Sequence, residues 1–259
     1  MSNKQGIYGF FFLLIAVLVV YGIYGAFFRS EGSCTDGILN QHEEKADCGG
    51  ECTLCEIVAL EPLRVTKEPK VLATEGPSMG SGQAVATFEI YNPNRDYDAP
   101  IVPYTLLVYG LEGSLVEEIT GDASVRALRR TFVIQGGVKT FSKSITRVEV
   151  SLEEPEWERS FSELTPALSL AGNATTTVSG NSVRVSGKVK NERSSAEESV
   201  EVIAVLADEY GKELFAARAV LSSIPARGER EFSVAFPASE MLAKLISPAR
   251  TKVTIQTEY

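Results

Sequence analysis

Four cysteines, Cys34, Cys48, Cys52 and Cys55, are the residues of this 259-residue chain best placed to do chemistry, and all of them fall in one run of 22 residues, CTDGILNQHEEKADCGGECTLC. An even set of thiols packed so closely predicts two disulfides in an oxidising compartment, with three pairings open. A tetrahedral zinc cage is the competing chemistry. The intervening lengths of 13, 3 and 2 residues do not make two separated CxxC knuckles. Nor does a βαβ setting surround Cys52-x-x-Cys55 to support thioredoxin-like redox work.

Oxygen donors share the same run: Asp36, Asn40, Glu43 and Asp47, with Gly37, Gly49 and Gly50 permitting tight turns. Hard cations take roughly six to eight oxygens from carboxylates, Asn side chains and carbonyls in compact loops. These four residues are therefore candidate calcium ligands, and calcium is the one cofactor the sequence nominates. The same residue types also cap turns in a loop too short to form a core. His42, the only histidine, lies in this segment and is expected in solvent. A single histidine there removes Ser-His and HExxH schemes. Among 34 acidic residues no motif singles out a glycosidase-type pair. No catalytic residue is nominated, and an extracytoplasmic hydrolase is the least favoured function.

Cys34, Asp36, Gly37, Asn40, Glu43, Asp47, Cys48, Gly49, Gly50, Cys52 and Cys55 together resemble a cysteine motif of predicted secreted and surface proteins of bacteria and archaea, CxDGxxNGxExxxDCGGxCxxC. Gln41 stands where the motif has Gly. The resemblance implies a surface location and a small module beside other domains, and it implies no activity.

An apolar run precedes the cysteines. Residues 6–28 read GIYGFFFLLIAVLVVYGIYGAFF without a charge, and at about 1.5 Å per residue 23 of them reach roughly 34 Å, enough for a bilayer core of about 30 Å. A transmembrane anchor is expected, with the membrane contact over residues 7–28. A cleaved signal peptide would have a shorter apolar region and small residues at the cut, whereas this run ends in Ala26-Phe27-Phe28-Arg29. Lys4 and the amino terminus oppose Arg29, so charge hardly orients the segment. The cysteines orient it, with the N-terminus cytoplasmic and the bulk of the chain extracytoplasmic. Net charge is −9 and the pI about 4.9. No cluster of Lys and Arg suits phosphate, so nucleic acid is excluded as a partner.

Beyond Cys55 short alternating strands alternate with Gly, Pro, Asn and Asp turns. In residues 183–191, Val183, Val185, Gly187 and Val189 share one face of a half-buried strand. Similar signals fall at 84–91, 131–134, 148–152, 232–236 and 253–257, and residues 239–245 are the main helix candidate. The pattern repeats: Ala86, Phe88, Ile90 and Asn92 precede Val185, Gly187, Val189 and Asn191 by 99 residues. Strands 104–113 and 202–211 then run into Gly-bearing turns. This predicts an all-β fold of two tandem sandwiches, each about 95 residues and of a size suited to seven strands. Residues 185–191, 203–211 and 225–236 resemble FxLYD-type and related immunoglobulin-like modules of bacterial envelope proteins, with Ala207 in place of the motif's Tyr. That resemblance implies a non-enzymatic part of an extracytoplasmic protein.

The expected organisation is an anchor with its short tail (1–29), a Cys-rich loop (30–56), a first sandwich (57–160) and a second (161–259). A charged connector, residues 153–166, carries the only tryptophan, Trp157. It is expected to pack between the sandwiches, with contact to a partner as the functional alternative. The reading is a single-pass membrane protein whose sandwiches act as spacer and protein-binding surface in envelope or surface assembly. Its alternative is a calcium-binding surface module.

Overall fold

The computed structural model describes residues 3–27, 33–40, 42–43, 46–52, 60–74, 83–138, 145–160 and 168–257. Cys55 and most of the expected connector's second half lie outside them. The chain divides into two compact units, Met1–Leu60 and Glu61–Tyr259.

In the first unit, α1 (Asn3–Phe27) is a 25-residue helix with no acidic residue in its first turn and no basic residue in its last. Its described side chains, at positions 8 and 10–21, are exposed and almost all large and apolar. That described stretch is shorter than the roughly 20 residues a spanning helix needs. Among the described residues no helix is long and apolar enough to cross a membrane, so the expected span is not supported there.

The second unit is built from strands. The first sandwich holds β1 (Arg64–Ala73), β2 (Ala84–Tyr91), β3 (Tyr97–Tyr109), β4 (Leu115–Val125), β5 (Arg130–Gly136), β6 (Arg147–Leu152) and β7 (Glu156–Arg159). The second holds β8 (Leu168–Leu170), β9 (Thr175–Ser179), β10 (Ser182–Asn191), β11 (Glu197–Ala207), β12 (Glu213–Ile224), β13 (Glu229–Ala235), the helix α2 (Glu240–Leu245) and β14 (Lys252–Thr257). All pairings are antiparallel. The sheets run β1-β2-β5 and β4-β3-β6 in the first sandwich, then β8/β9-β10-β13 and β12-β11-β14 in the second. With β7 also pairing β3 and β9 also pairing β10, each sandwich holds seven strands, four in one sheet and three in the other, the number suited to its length, and the two share one pairing pattern.

Period-two patterning explains the first core. Ala86, Phe88 and Ile90 of β2 point inward to meet Val102, Leu106 and Val108 of β3. The second core repeats this with Val185 and Val189 of β10, joined by Phe232 and Val234 of β13. Leu242 of α2 is fully buried beside them. The Ser239 hydroxyl caps that helix by accepting a hydrogen bond from the Leu242 N–H at 3.2 Å.

One difference separates the copies. In the first, β1 follows β2 along its whole length, absorbing two register shifts. In the second, the chain breaks into β8 and β9 around Gly172, whose φ of 90° favours a residue without Cβ.

Trp157 does not lie between the sandwiches. It stands on β7, which pairs with the N-terminal half of β3 and so continues the line of β6 past Pro155. There it packs, partly buried, on the first core. What joins the sandwiches is a direct face-to-face seam: Leu72 of β1 and Phe132 of β5, with Val85 and Ile134 partly buried, belong to the apolar cluster of the second sandwich. Strand β12 lies against β1, β2 and β5.

Candidate functional site

The cysteine loop is held by a Cys34–Cys52 disulfide across 18 residues. Cys48 is also disulfide-bonded, and no free cysteine occurs among the described residues. Three of the four candidate calcium ligands, Asp36, Glu43 and Asp47, turn their carboxylate oxygens to nearby N–H groups, and Asn40 donates its amide to Asp36. Asp36 accepts from the Ser33 and Ile38 backbone and from the Asn40 amide at 2.9–3.0 Å. That amide, with the two backbone N–H groups, holds the Asp36 carboxyl below its usual range. Both Asp47 carboxylate oxygens lie within 3.0 Å of the Gly37 nitrogen. Buried Glu43 accepts from the Asn40 and Asp47 N–H groups at 3.2 and 3.1 Å. His42 is exposed.

Among the described residues, the only group of acidic, cysteine or histidine side chains close enough to share a metal is Cys34, Glu43 and Cys52. Its two sulfurs are already bonded to each other, so they offer no thiolate. The loop's carboxylates thus act as caps for turns, which pass through positive φ at Gly37, His42, Asp47, Gly49 and Gly50. The Asn40 Oδ1 is buried and has no hydrogen-bond partner among the described residues.

The seam between the sandwiches carries the larger polar network. Strand β11 is buried on both faces from Val200 to Ala207, which strands reach only when covered on each side. One of those faces includes Glu201, whose side chain is 5% exposed. Its Oε1 accepts from Arg218 Nη1 at 2.6 Å and its Oε2 from Gln256 Nε2 at 2.5 Å. Gln256 also reaches across the seam. Its Oε1 accepts from the Phe132 N–H at 3.0 Å, and its Nε2 donates to the Phe132 carbonyl at 3.1 Å. The side-chain amide thereby occupies the place of a neighbouring strand residue on the edge of β5.

At the other end of the seam, Glu213 of β12 takes Lys67 at 2.7 Å and Lys70 at 2.6 Å, both from β1. Burial on its own would raise the Glu213 carboxyl, but the hydrogen bonds and charges of the two lysines outweigh it and hold it below the usual range. Lys67 also sits 4.7 Å over the Phe132 ring.

Two clefts open along this seam. The larger, about 680 Å³, lies among β2, β5, β12 and the end of β13, walled by Val85, Ile134, Phe215 and Phe236. The smaller, about 280 Å³, is lined by Asp122, Phe132, Glu201 and Gln256. Arg218 and Ile134 line both. Nearby, the Tyr104 hydroxyl donates to Gln135 Oε1 at 2.7 Å. Burial pushes that phenol up, the Asp122 charge adds to the effect and Arg218 opposes it.

None of the seam residues was singled out from sequence. A signal existed in residues 200–207, VEVIAVLA, where apolar side chains stop alternating with polar ones and Glu201 interrupts the run. That pattern marks a strand covered on both faces.

The fold and site define an all-β protein whose two like sandwiches are joined face to face. No protein-family model matches the chain, and no curated protein matches it. Among solved structures, the N-terminal CBM22-1-CBM22-2 tandem domain of Paenibacillus barcinonensis Xyn10C aligns over 76% of this chain and 86% of its own, at 8% identity and a TM-score of 0.17. A score that low carries no argument about fold or ligand.

Proposed function

We propose that the chain is a single-pass membrane protein that displays its fused sandwich pair outside the cytoplasm as a spacer and protein-binding surface in envelope or surface assembly. The observation that carries this reading is the Cys34–Cys52 disulfide. It falls a few residues after the uncharged run 6–28, and disulfides persist in oxidising compartments. The length and apolarity of that run in the sequence support its role as the anchor. The proposed kinship with FxLYD-type immunoglobulin-like modules rests on the likeness of residues 185–191, 203–211 and 225–236 to them. A scaffold of this kind presents strand edges and loops to partners, and no catalytic role is assigned to it.

Membrane fractionation tests the anchor. The full chain should stay with carbonate-washed membranes, and deletion of residues 6–28 should release it. Release of the intact chain by carbonate would overturn the reading.

We infer further that Asp36, Glu43 and Asp47 are structural caps, because their carboxylates already accept backbone N–H groups, and that Asn40 supports them by donating its amide to Asp36. Calorimetric titration of calcium into the oxidised full chain should give no saturable heat. Saturable heat would restore the calcium-module alternative.

A further inference from the structure

Asn173-Ala174-Thr175 is the chain's one Asn-x-Ser/Thr triplet with a middle residue other than proline, the acceptor pattern for N-linked glycans. It falls at the break between β8 and β9, just after Gly172 turns the chain with a φ of 90°. Asn173 and Thr175 are exposed, whereas Ala174 between them packs on the second core. Ala174 lies over Gly187, where an added Cβ would come within 3.4 Å of the Ala174 Cα. In extended backbone residues two apart share a face, so the pinned Ala174 turns both flanking side chains to solvent. Among the described residues neither the Asn173 amide nor the Thr175 hydroxyl has a hydrogen-bond partner.

The sheet face beside this triplet is free because the seam uses its counterpart in the first copy. Thr175 pairs with Ser186 of β10 as Lys70 pairs with Thr87 of β2, and Ser186 stands 99 residues after Thr87. Lys70 therefore holds the place of Thr175 in the first sandwich. There Lys70 binds Glu213 and its near neighbour Leu72 joins the second core, so the face is spent on the seam. In the second sandwich the same face is polar and exposed: Arg184 donates to the Ser233 hydroxyl at 2.8 Å, and Lys188 pairs with Glu231 at 3.5 Å.

We propose that Asn173 is an N-glycosylation site, modified outside the cytoplasm by a transferase that draws on a lipid-linked oligosaccharide. In the transfer the Asn173 Nδ2 forms a bond to the anomeric carbon of the sugar. The bond from that carbon to the phosphate of a polyprenyl phosphate or diphosphate carrier breaks, and the carrier leaves with the electron pair. The amide gives one proton to a base of the transferase and keeps the other. Thr175 supplies the hydroxyl two residues on that defines the acceptor. The proposal rests on the reading of the sandwich pair as extracytoplasmic and adds the modification that this exposed face receives there.

The test uses the full chain purified from the cells that naturally make it. Trypsin releases residues 160–184, which carry both Asn173 and the exposed Asn181, and electron-transfer fragmentation in a mass spectrometer locates any added mass. Saccharide mass is expected on Asn173 and none on Asn181, which is followed by Ser182-Val183. Asn173→Gln and Thr175→Ala should each abolish it, and Thr175→Ser should keep it. Circular dichroism melts that match the wild type show that loss of sugar is not loss of fold, and if a variant unfolds, the wild-type peptide decides. An unmodified wild-type peptide, or a saccharide that survives Thr175→Ala, would overturn the site. Labelling the same cells with an impermeant maleimide separates the two failures. Cysteines that label from outside after reduction leave the extracytoplasmic reading standing without the site, whereas free thiols sealed in the cytoplasm remove both.

Discussion

Asn92 and Asn191 stand 99 residues apart and make the same hydrogen bonds. Each is fully buried. Each side-chain oxygen accepts from the N–H two residues on, Asn94 or Arg193, at 2.9 Å. Each amide donates at 2.8 Å to a carbonyl at or just before the start of the next strand, Tyr97 or Ser195, and a second time to Val125 or Ile224. The backbone agrees as well: the Asn92 and Asn191 N–H groups donate to the Arg129 and Gly228 carbonyls, and Leu128 and Arg227 beside them hold φ of 54° and 55°. One buried amide thus ties three strands together in each copy.

Replacing either asparagine by alanine should cost about 2–3 kcal/mol, because buried carbonyls lose their donors. Urea denaturation monitored by circular dichroism should return similar losses for Asn92→Ala and Asn191→Ala. Unequal losses would mean that the two sites are not equivalent in energy.

The aromatic packing shows the copies diverging. In the first sandwich Phe88 of β2 is the register partner of Val133 and meets Tyr104 edge-on at 5.1 Å. In the second, Gly187 of β10 takes the place of Phe88, and its register partner is Phe232. The ring has moved across the strand pair. A Cβ at Gly187 would lie 2.9 Å from that ring, so Gly187→Ala should destabilise by about 1–3 kcal/mol through overpacking. The double change Gly187→Phe with Phe232→Val should recover most of the loss that Gly187→Phe causes by itself, as read by thermal melts.

Acid should loosen the seam at Glu213. Its carboxyl is held below its ordinary value of 4.5 in the folded chain. A depressed folded value means that the carboxylate stabilises the fold above the unfolded value, and that this contribution is lost as pH falls through the folded one. Melting temperature should therefore fall below about pH 4.5, and Glu213→Gln should flatten that limb while leaving Lys67 and Lys70 in place. An unchanged acid limb in Glu213→Gln would remove this ion group from the account.

Gln256 is the seam's most economical test. Its amide makes two bonds to Phe132 and one to Glu201, so Gln256→Ala should lower stability by about 1–2 kcal/mol. Scanning calorimetry should show one transition for the wild type and a broader or split one for the variant, as the sandwiches uncouple. A single sharp transition at the wild-type temperature would contradict the role given to the amide.

Much of this architecture was legible in the sequence because strand alternation and turn residues are local. Residues 84–91 form β2 with no change of boundary, and Ser239 caps α2 where the helix was expected. The Asn92 and Asn191 pair was visible as a repeat, though not its hydrogen bonds. The seam was not legible, since it depends on which outer face of one sandwich meets the other, and Lys67, Glu213 and Gln256 are spread over nearly the whole unit. Trp157 was misplaced for a related reason: Pro155 reads as a breaker, yet the strand line resumes beyond it along β3. Three of the four candidate calcium ligands, Asp36, Glu43 and Asp47, are themselves the capping side chains, and only the direction of their oxygens separates the two roles.

The central claim is that everything after the apolar run faces an oxidising exterior. Labelling intact cells with a membrane-impermeant maleimide, with and without prior reduction, tests it most directly. The account predicts no label on the four cysteines until reductant is added, then labelling without lysis. Labelling that needs lysis and no reductant would place free thiols in the cytoplasm and contradict it.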